Sequence, residues 1–147
     1  MASFTLKREI AAPPETVFEV ATDLRAYSDF VTLIQGSPLE REGDPAPNGV
    51  GAIRVLRFPG STLREEVLTY EPSRRFSYTL LSGAPLRDHV GTVEVAPQGD
   101  GTAITYAIRT TPTLPLVGFA AVAVSKFAIG QMLNGIAAEA ERRAAKG

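Results

Sequence analysis

Five residues carry most of this sequence's capacity for chemistry: Arg54, Glu65, Tyr78, His89 and Tyr106. Arg54 and Glu65 flank Pro59-Gly60, a turn-forming pair, and a hairpin closed there pairs residues whose numbers sum to about 119. Arg54 then faces Glu65, on the face that also carries Leu56, Phe58, Leu63 and Val67. Charges on an apolar face are costly to desolvate, so they survive there only when well paired. The pair reads as a structural cross-strand ion pair or as a polar hotspot in an apolar pocket, with Arg54 orienting a ligand carbonyl or enolate and Glu65 moving a proton. Tyr78 and Tyr106 fall on inward positions of later strands. Their hydroxyls could bond a ligand, although each also fits an amphipathic core residue with a local partner. His89, the only histidine, points inward if Gly91 and Val93 do. Its ordinary pKa of ~6.5 makes it the acid/base candidate, while its place near a strand end equally suits a polar residue at a cavity mouth.

Other chemistries lack their parts. One histidine and no cysteine cannot make a usual zinc set, and no tight carboxylate cluster suggests a bound cation, so neither a metal nor another cofactor is expected. Asp88 and His89 adjoin and should point to opposite strand faces, and no Gly-x-Ser-x-Gly elbow supplies a nucleophile. Gly49-Val-Gly51 and Gly99-Asp-Gly101 sit at loops rather than ahead of a helix, so neither cradles phosphate. Arg74-Arg75 and Arg142-Arg143 read as solvated surface charge.

The composition narrows the classes further. A chain of 147 residues, 44% hydrophobic, fits one domain over residues 1–147 with a sizeable core. A net charge of -1 and a pI near 5.9 provide no basic field for nucleic acid. Zero cysteines exclude disulfides and thiol catalysis and suit a reducing, cytoplasmic location. The N-terminus lacks a basic stretch followed by an apolar one, so no signal peptide is expected. Leu114 to Ile129 is apolar but shorter than the ~20 residues needed to span a bilayer and is interrupted by Lys126, so stable membrane insertion is not expected.

Seven strands and three helices are needed to hold these residues. Phe4, Leu6 and Ile10 alternate with polar residues as a first strand, Arg8 being the exception on its apolar face. Pro13-Pro14 opens a helix carrying Val17, Phe18 and Ala21, and Thr22 or Asp23 caps a second short helix, Leu24 to Phe30. A short strand at Leu39 and a loop over 45–51 precede the hairpin of 52–58 and 61–70. Phe76, Tyr78 and Leu80 share one strand face, and Val93 and Val95 mark the next strand. Gly99-Asp100-Gly101 then turns into Ile104, Tyr106 and Ile108. The chain ends in one long helix, Leu116 to Ala145. Its second half carries a stripe at Val122, Ile129, Leu133, Ile136 and Ala140, whereas apolar residues, Phe119 and Phe127 among them, surround its first half. That half is expected to be buried beside a cavity, with a homodimer or loose membrane contact as the alternative.

This order of elements, with Gly51-Ala-Ile-Arg54, Leu63-Arg-Glu65, Glu71-Pro72, Phe76-Ser-Tyr78 and Gly101-Thr102 along its middle, resembles the START/Bet v1-like (SRPBCC) superfamily, and most its bacterial polyketide cyclase/dehydrase branch. The resemblance spans nearly the whole chain through diffuse, spaced residues. It implies an α+β helix-grip fold: a seven-stranded curved antiparallel sheet wrapped around a long C-terminal helix, with two short helices after strand 1. It further implies a cavity for an apolar, lipid-like or polyketide-like small molecule, and a cyclase, aromatase or dehydratase acting on a β-ketone chain as the catalytic alternative. The wall residues it suggests are Phe30, Leu56, Val67, Tyr78, Tyr106, Phe119 and Phe127, with Arg54, Glu65 and His89 as the catalytic candidates. Two departures stand out. Tyr27 or Phe30, and Tyr106, occupy regions where members often carry tryptophan, and His89 replaces a common tyrosine, so the cavity wall is expected to be more polar than usual.

Overall fold

In a computed structural model describing residues 1–146, the period-two alternation resolves into seven strands: β1 (Ala2–Ile10), β2 (Leu39–Arg41), β3 (Ile53–Phe58), β4 (Ser61–Glu71), β5 (Arg75–Ser82), β6 (Leu86–Gln98) and β7 (Gly101–Pro112). They form one antiparallel sheet in the order β1-β7-β6-β5-β4-β3-β2, so the first strand closes beside the last. Between β1 and β2 lie α1 (Pro14–Thr22), a 3₁₀ turn (Leu24–Ala26) and α2 (Tyr27–Phe30). The long helix α3 (Pro115–Lys146) follows β7 and packs against β1, β7, α1 and α2, completing the helix-grip arrangement.

Local chemistry explains these choices. Pro14 starts α1, where a missing N–H costs nothing, and Val17, Phe18, Val20 and Ala21 bury its inner face. In place of the single helix expected over 24–30 there is a 3₁₀ turn followed by α2, and the Tyr27 hydroxyl turns back to donate to the Ala21 carbonyl with its ring in the core. The hairpin register is as expected: Arg54 pairs with Glu65 and Leu56 with Leu63. The Val67 amide donating to the Ala52 carbonyl extends that register beyond the strand.

The concave face carries Leu56, Val67, Phe76, Tyr78, Val93, Ile104, Tyr106 and Ile108, all buried. Ile129, Leu133, Ile136 and Ala140 of α3 complete this core. At Gly135 the helix touches the end of α2 so closely that a β-carbon would lie 2.3 Å from the Phe30 carbonyl oxygen. Arg8, the charged exception on β1, donates from Nε to Asn134 on α3.

The first half of α3 departs from expectation. At 32 residues the helix is about 48 Å long, and sheet and short helices cover it mainly from Ile129 onward. Leu116, Phe119, Val124 and Phe127 are 86%, 70%, 66% and 61% exposed, so this half is not buried on several sides. Its inner side instead faces the β3–β4 and β5–β6 turns across an open groove.

Candidate functional site

β3 and β4 bring Arg54 and Glu65 together on the concave face, where Arg54 Nε donates to Glu65 Oε1 at 2.8 Å. They are 2% and 4% exposed, a fully internal ion pair. The guanidinium sits between two phenol rings, 4.8 Å from the centroid of Tyr27 and 5.1 Å from that of Tyr78, as a cation–π sandwich. Its Nη1 and Nη2 are buried and find no hydrogen-bond acceptor among the described residues. Burial works against the charged guanidinium, but Glu65 and the surrounding phenol oxygens outweigh it and raise its pKa, so Arg54 remains a cation.

His89 shares the inward face of β6 with Gly91 and Val93, beside a bulge. The pairing of β6 with β7 slips between Arg87 and Val90, and Asp88 takes a left-handed conformation with φ 49°. Thr79 Oγ1 donates to the His89 carbonyl, and Thr110 Oγ1 lies 3.0 Å from His89 Nδ1, fixing both backbone and ring. Burial lowers the His89 pKa, with Glu65 pulling the other way, so the imidazole is largely neutral at pH 7. Beside it the Tyr78 and Tyr106 hydroxyls share a 2.6 Å hydrogen bond. Burial raises both phenol pKa values, so both keep their protons.

Two adjoining spaces lie beside this cluster. An apolar groove of about 520 Å³ runs between α3 and the ends of the β3–β4 and β5–β6 hairpins, lined by Leu33, Pro85, Val117, Ala121 and Val124 among others. Beneath it lies a chamber of about 40 Å³ walled by Leu56, Glu65, Tyr78, His89, Ile129 and Met132. Phe58, Leu63, Ser125 and Ala128 line both and form the neck where they adjoin. The groove is large enough for much of a small ligand, whereas the chamber admits little more than one polar group.

The expected residues divide accordingly. Glu65, Tyr78, His89 and Leu56 meet at the chamber, while Phe127 lines the groove from its outer edge. Arg54 is not in the wall and reaches it only through Glu65. Val67 and Tyr106 are core residues, and Phe30 packs at a tilt against Tyr27 with ring centroids 5.1 Å apart. Phe119 projects to solvent, away from both spaces, because the helix turns that residue outward. Sequence reasoning overlooked Thr110, the neck residues Ser125 and Ala128, and the stacking role of Tyr27. The spacing Leu24-Tyr27-Val31 places Tyr27 on an inward helical face and was the available signal.

The comparisons with known proteins agree with this fold. The family described as polyketide cyclase / dehydrase and lipid transport matches residues 1–141. The chain is similar in structure to the Zhui aromatase/cyclase from Streptomyces, with TM-score 0.78, 20% identity and coverage of 97% of this chain and 94% of that one. A START superfamily protein from Mycobacterium smegmatis gives TM-score 0.73 and 19% identity, covering 98% and 97% of the two chains. A major latex-like protein from Panax ginseng gives 0.75 and 16%, covering 97% of each. At these identities the likeness is one of fold. No curated protein matches the sequence.

Proposed function

This chain belongs to the polyketide cyclase / dehydrase and lipid transport family, and on that premise we propose that it binds an apolar, polyketide-like or lipid-like small molecule between the sheet and α3. The observation that carries this reading is the adjacency of the apolar groove to the polar chamber, at a neck whose four residues line both. An apolar body lies in the groove while one polar end reaches Glu65, Tyr78 and His89, the usual division of labour in a ligand site. The absence of cysteine suits action in the cytoplasm.

A thermal-shift titration against fatty acids, sterols, flavonoids and aromatic polyketides tests it, since a ligand at 100 times its Kd adds about 2.7 kcal/mol of stability. One class is expected to raise the melting temperature of the wild type and not of Val124→Glu, which puts a charge in the groove wall. No shift from any class overturns the reading.

The meeting of Glu65 and His89 at one chamber favours a second, catalytic reading: cyclisation or dehydration of a β-ketone chain folded in the groove. Glu65 and His89 relay protons, and Arg54 holds the Glu65 carboxylate in place. Turnover of a β-ketone substrate that survives unchanged in folded Glu65→Gln and His89→Gln excludes it. The exposed outer face of α3 supports a further role in homodimer contact. Light scattering tests this, and a strict monomer across a wide concentration range rejects it.

A further inference from the structure

Resting on the ligand-binding reading above, we infer that the occupant is an uncharged amphiphile whose hydroxyl enters the chamber, and that Glu65 excludes molecules ending in a carboxylate. Few polar atoms remain available at the chamber wall. Glu65 Oε1 takes the Arg54 Nε–H, while Oε2 accepts no hydrogen bond from the described residues. His89 Nδ1 is engaged with Thr110, leaving Nε2 without a partner among the described residues. The Tyr78 and Tyr106 hydroxyls are engaged with each other. The chamber therefore offers a carboxylate oxygen and one imidazole nitrogen, and nothing cationic.

Arg54 offers an incoming group no hydrogen-bond donor at the wall and acts on it only as a charge set behind Glu65. Its guanidinium lies outside the chamber wall, with its two spare nitrogens enclosed beside the rings of Tyr27 and Tyr78. An anion passing the neck would meet the lone pairs of Glu65 before any positive charge, and a neutral histidine cannot compensate it. Like charges brought together in a partly dry site repel strongly. A hydroxyl instead donates to the carboxylate, and because it can also donate or accept it suits the free imidazole nitrogen in either tautomer. An ether or ketone oxygen can only accept and leaves Glu65 unanswered. The chamber volume, about 40 Å³, also suits one hydroxyl better than the larger carboxylate.

Isothermal titration calorimetry with 1-decanol, decanoate and decyl methyl ether at pH 7.5 reads the preference directly. Decanol is expected to bind the wild type at least ~10-fold more tightly than either of the others, the differential a dedicated polar group produces. Glu65→Gln, checked for folding by circular dichroism, is expected to narrow the gap between decanol and decanoate. Ala128→Phe leaves Glu65 and Arg54 untouched and blocks the neck. It is expected to bind all three probes in the outer groove with nearly equal affinity. Decanoate binding as tightly as decanol to the wild type, or a preference that survives in Ala128→Phe, overturns the inference while leaving the groove as a ligand site. Silence of all three probes while other apolar classes bind overturns it too. Silence of every apolar compound overturns the ligand-binding reading with it.

Discussion

The ring of Tyr78 lies over Gly91, its cross-strand partner on β6, so closely that a β-carbon on Gly91 would sit 2.5 Å from Tyr78 Cζ and 2.7 Å from its hydroxyl oxygen. The missing side chain on one strand is what lets the phenol on the next lie down and reach Tyr106. Gly91→Ala is therefore expected to push the ring off its seat and destabilise the protein by about 1–3 kcal/mol, the usual scale of overpacking. Adding Tyr78→Leu, which removes the contacted ring atoms, should recover part of that loss. Urea denaturation of the two variants decides the matter, and a harmless Gly91→Ala contradicts it.

Tyr78 and Tyr106 satisfy each other in a place closed to water. Replacing either with phenylalanine leaves one buried hydroxyl without its partner, at about 1–3 kcal/mol. Replacing both removes the need for a partner and should cost less than the sum of the single changes. A double-mutant cycle measures this, and strict additivity would mean that the two hydroxyls do not depend on one another.

The same logic applies with larger numbers to the internal ion pair. Arg54→Met leaves the Glu65 carboxylate buried without its cation and is expected to cost about 3–5 kcal/mol. Arg54→Met combined with Glu65→Leu should regain most of that stability, since apolar replacement of a whole buried pair is often neutral or stabilising. The combined variant should still fold yet lose the polar floor of the chamber, separating what the pair does for stability from what it does for a ligand.

The pair was legible in the sequence because its placement depends on two short-range features, the turn at Pro59-Gly60 and strict alternation on either side. Tyr78 and Tyr106 were legible for the same reason. His89 was legible too, since alternation with the buried Gly91 and Val93 places it inward, whereas the slip in β6 and the positive φ of Asp88 beside it are adjustments that the sequence does not announce. The first half of α3 was misread because composition shows how much apolar surface a helix carries and not what covers it. Phe119 and Val117 look equivalent in sequence, yet one projects to solvent and the other lines the groove. The neck at Ser125 and Ala128 carries no chemical signature, since small residues there matter only for the space they leave.

His89 makes stability depend on pH in a direction set by its lowered pKa. In the unfolded chain the imidazole binds a proton near pH ~6.5, whereas in the folded protein burial delays protonation to lower pH. Between those two values the unfolded state holds more protons, so stability rises with pH. The contribution is complete above pH ~6.5 and is lost as the pH falls from there toward the folded pKa, with a slope of at most about 1.4 kcal/mol per pH unit. Carboxylates elsewhere also titrate on acidification, so wild type must be compared with His89→Gln, which shares them all. The stability difference between the two proteins should be flat above neutrality and should shift against the wild type as pH falls from 6.5 toward 5. Parallel losses in both proteins would show that His89 is protonated as easily inside as outside, and that the chamber is wet enough to welcome a charge.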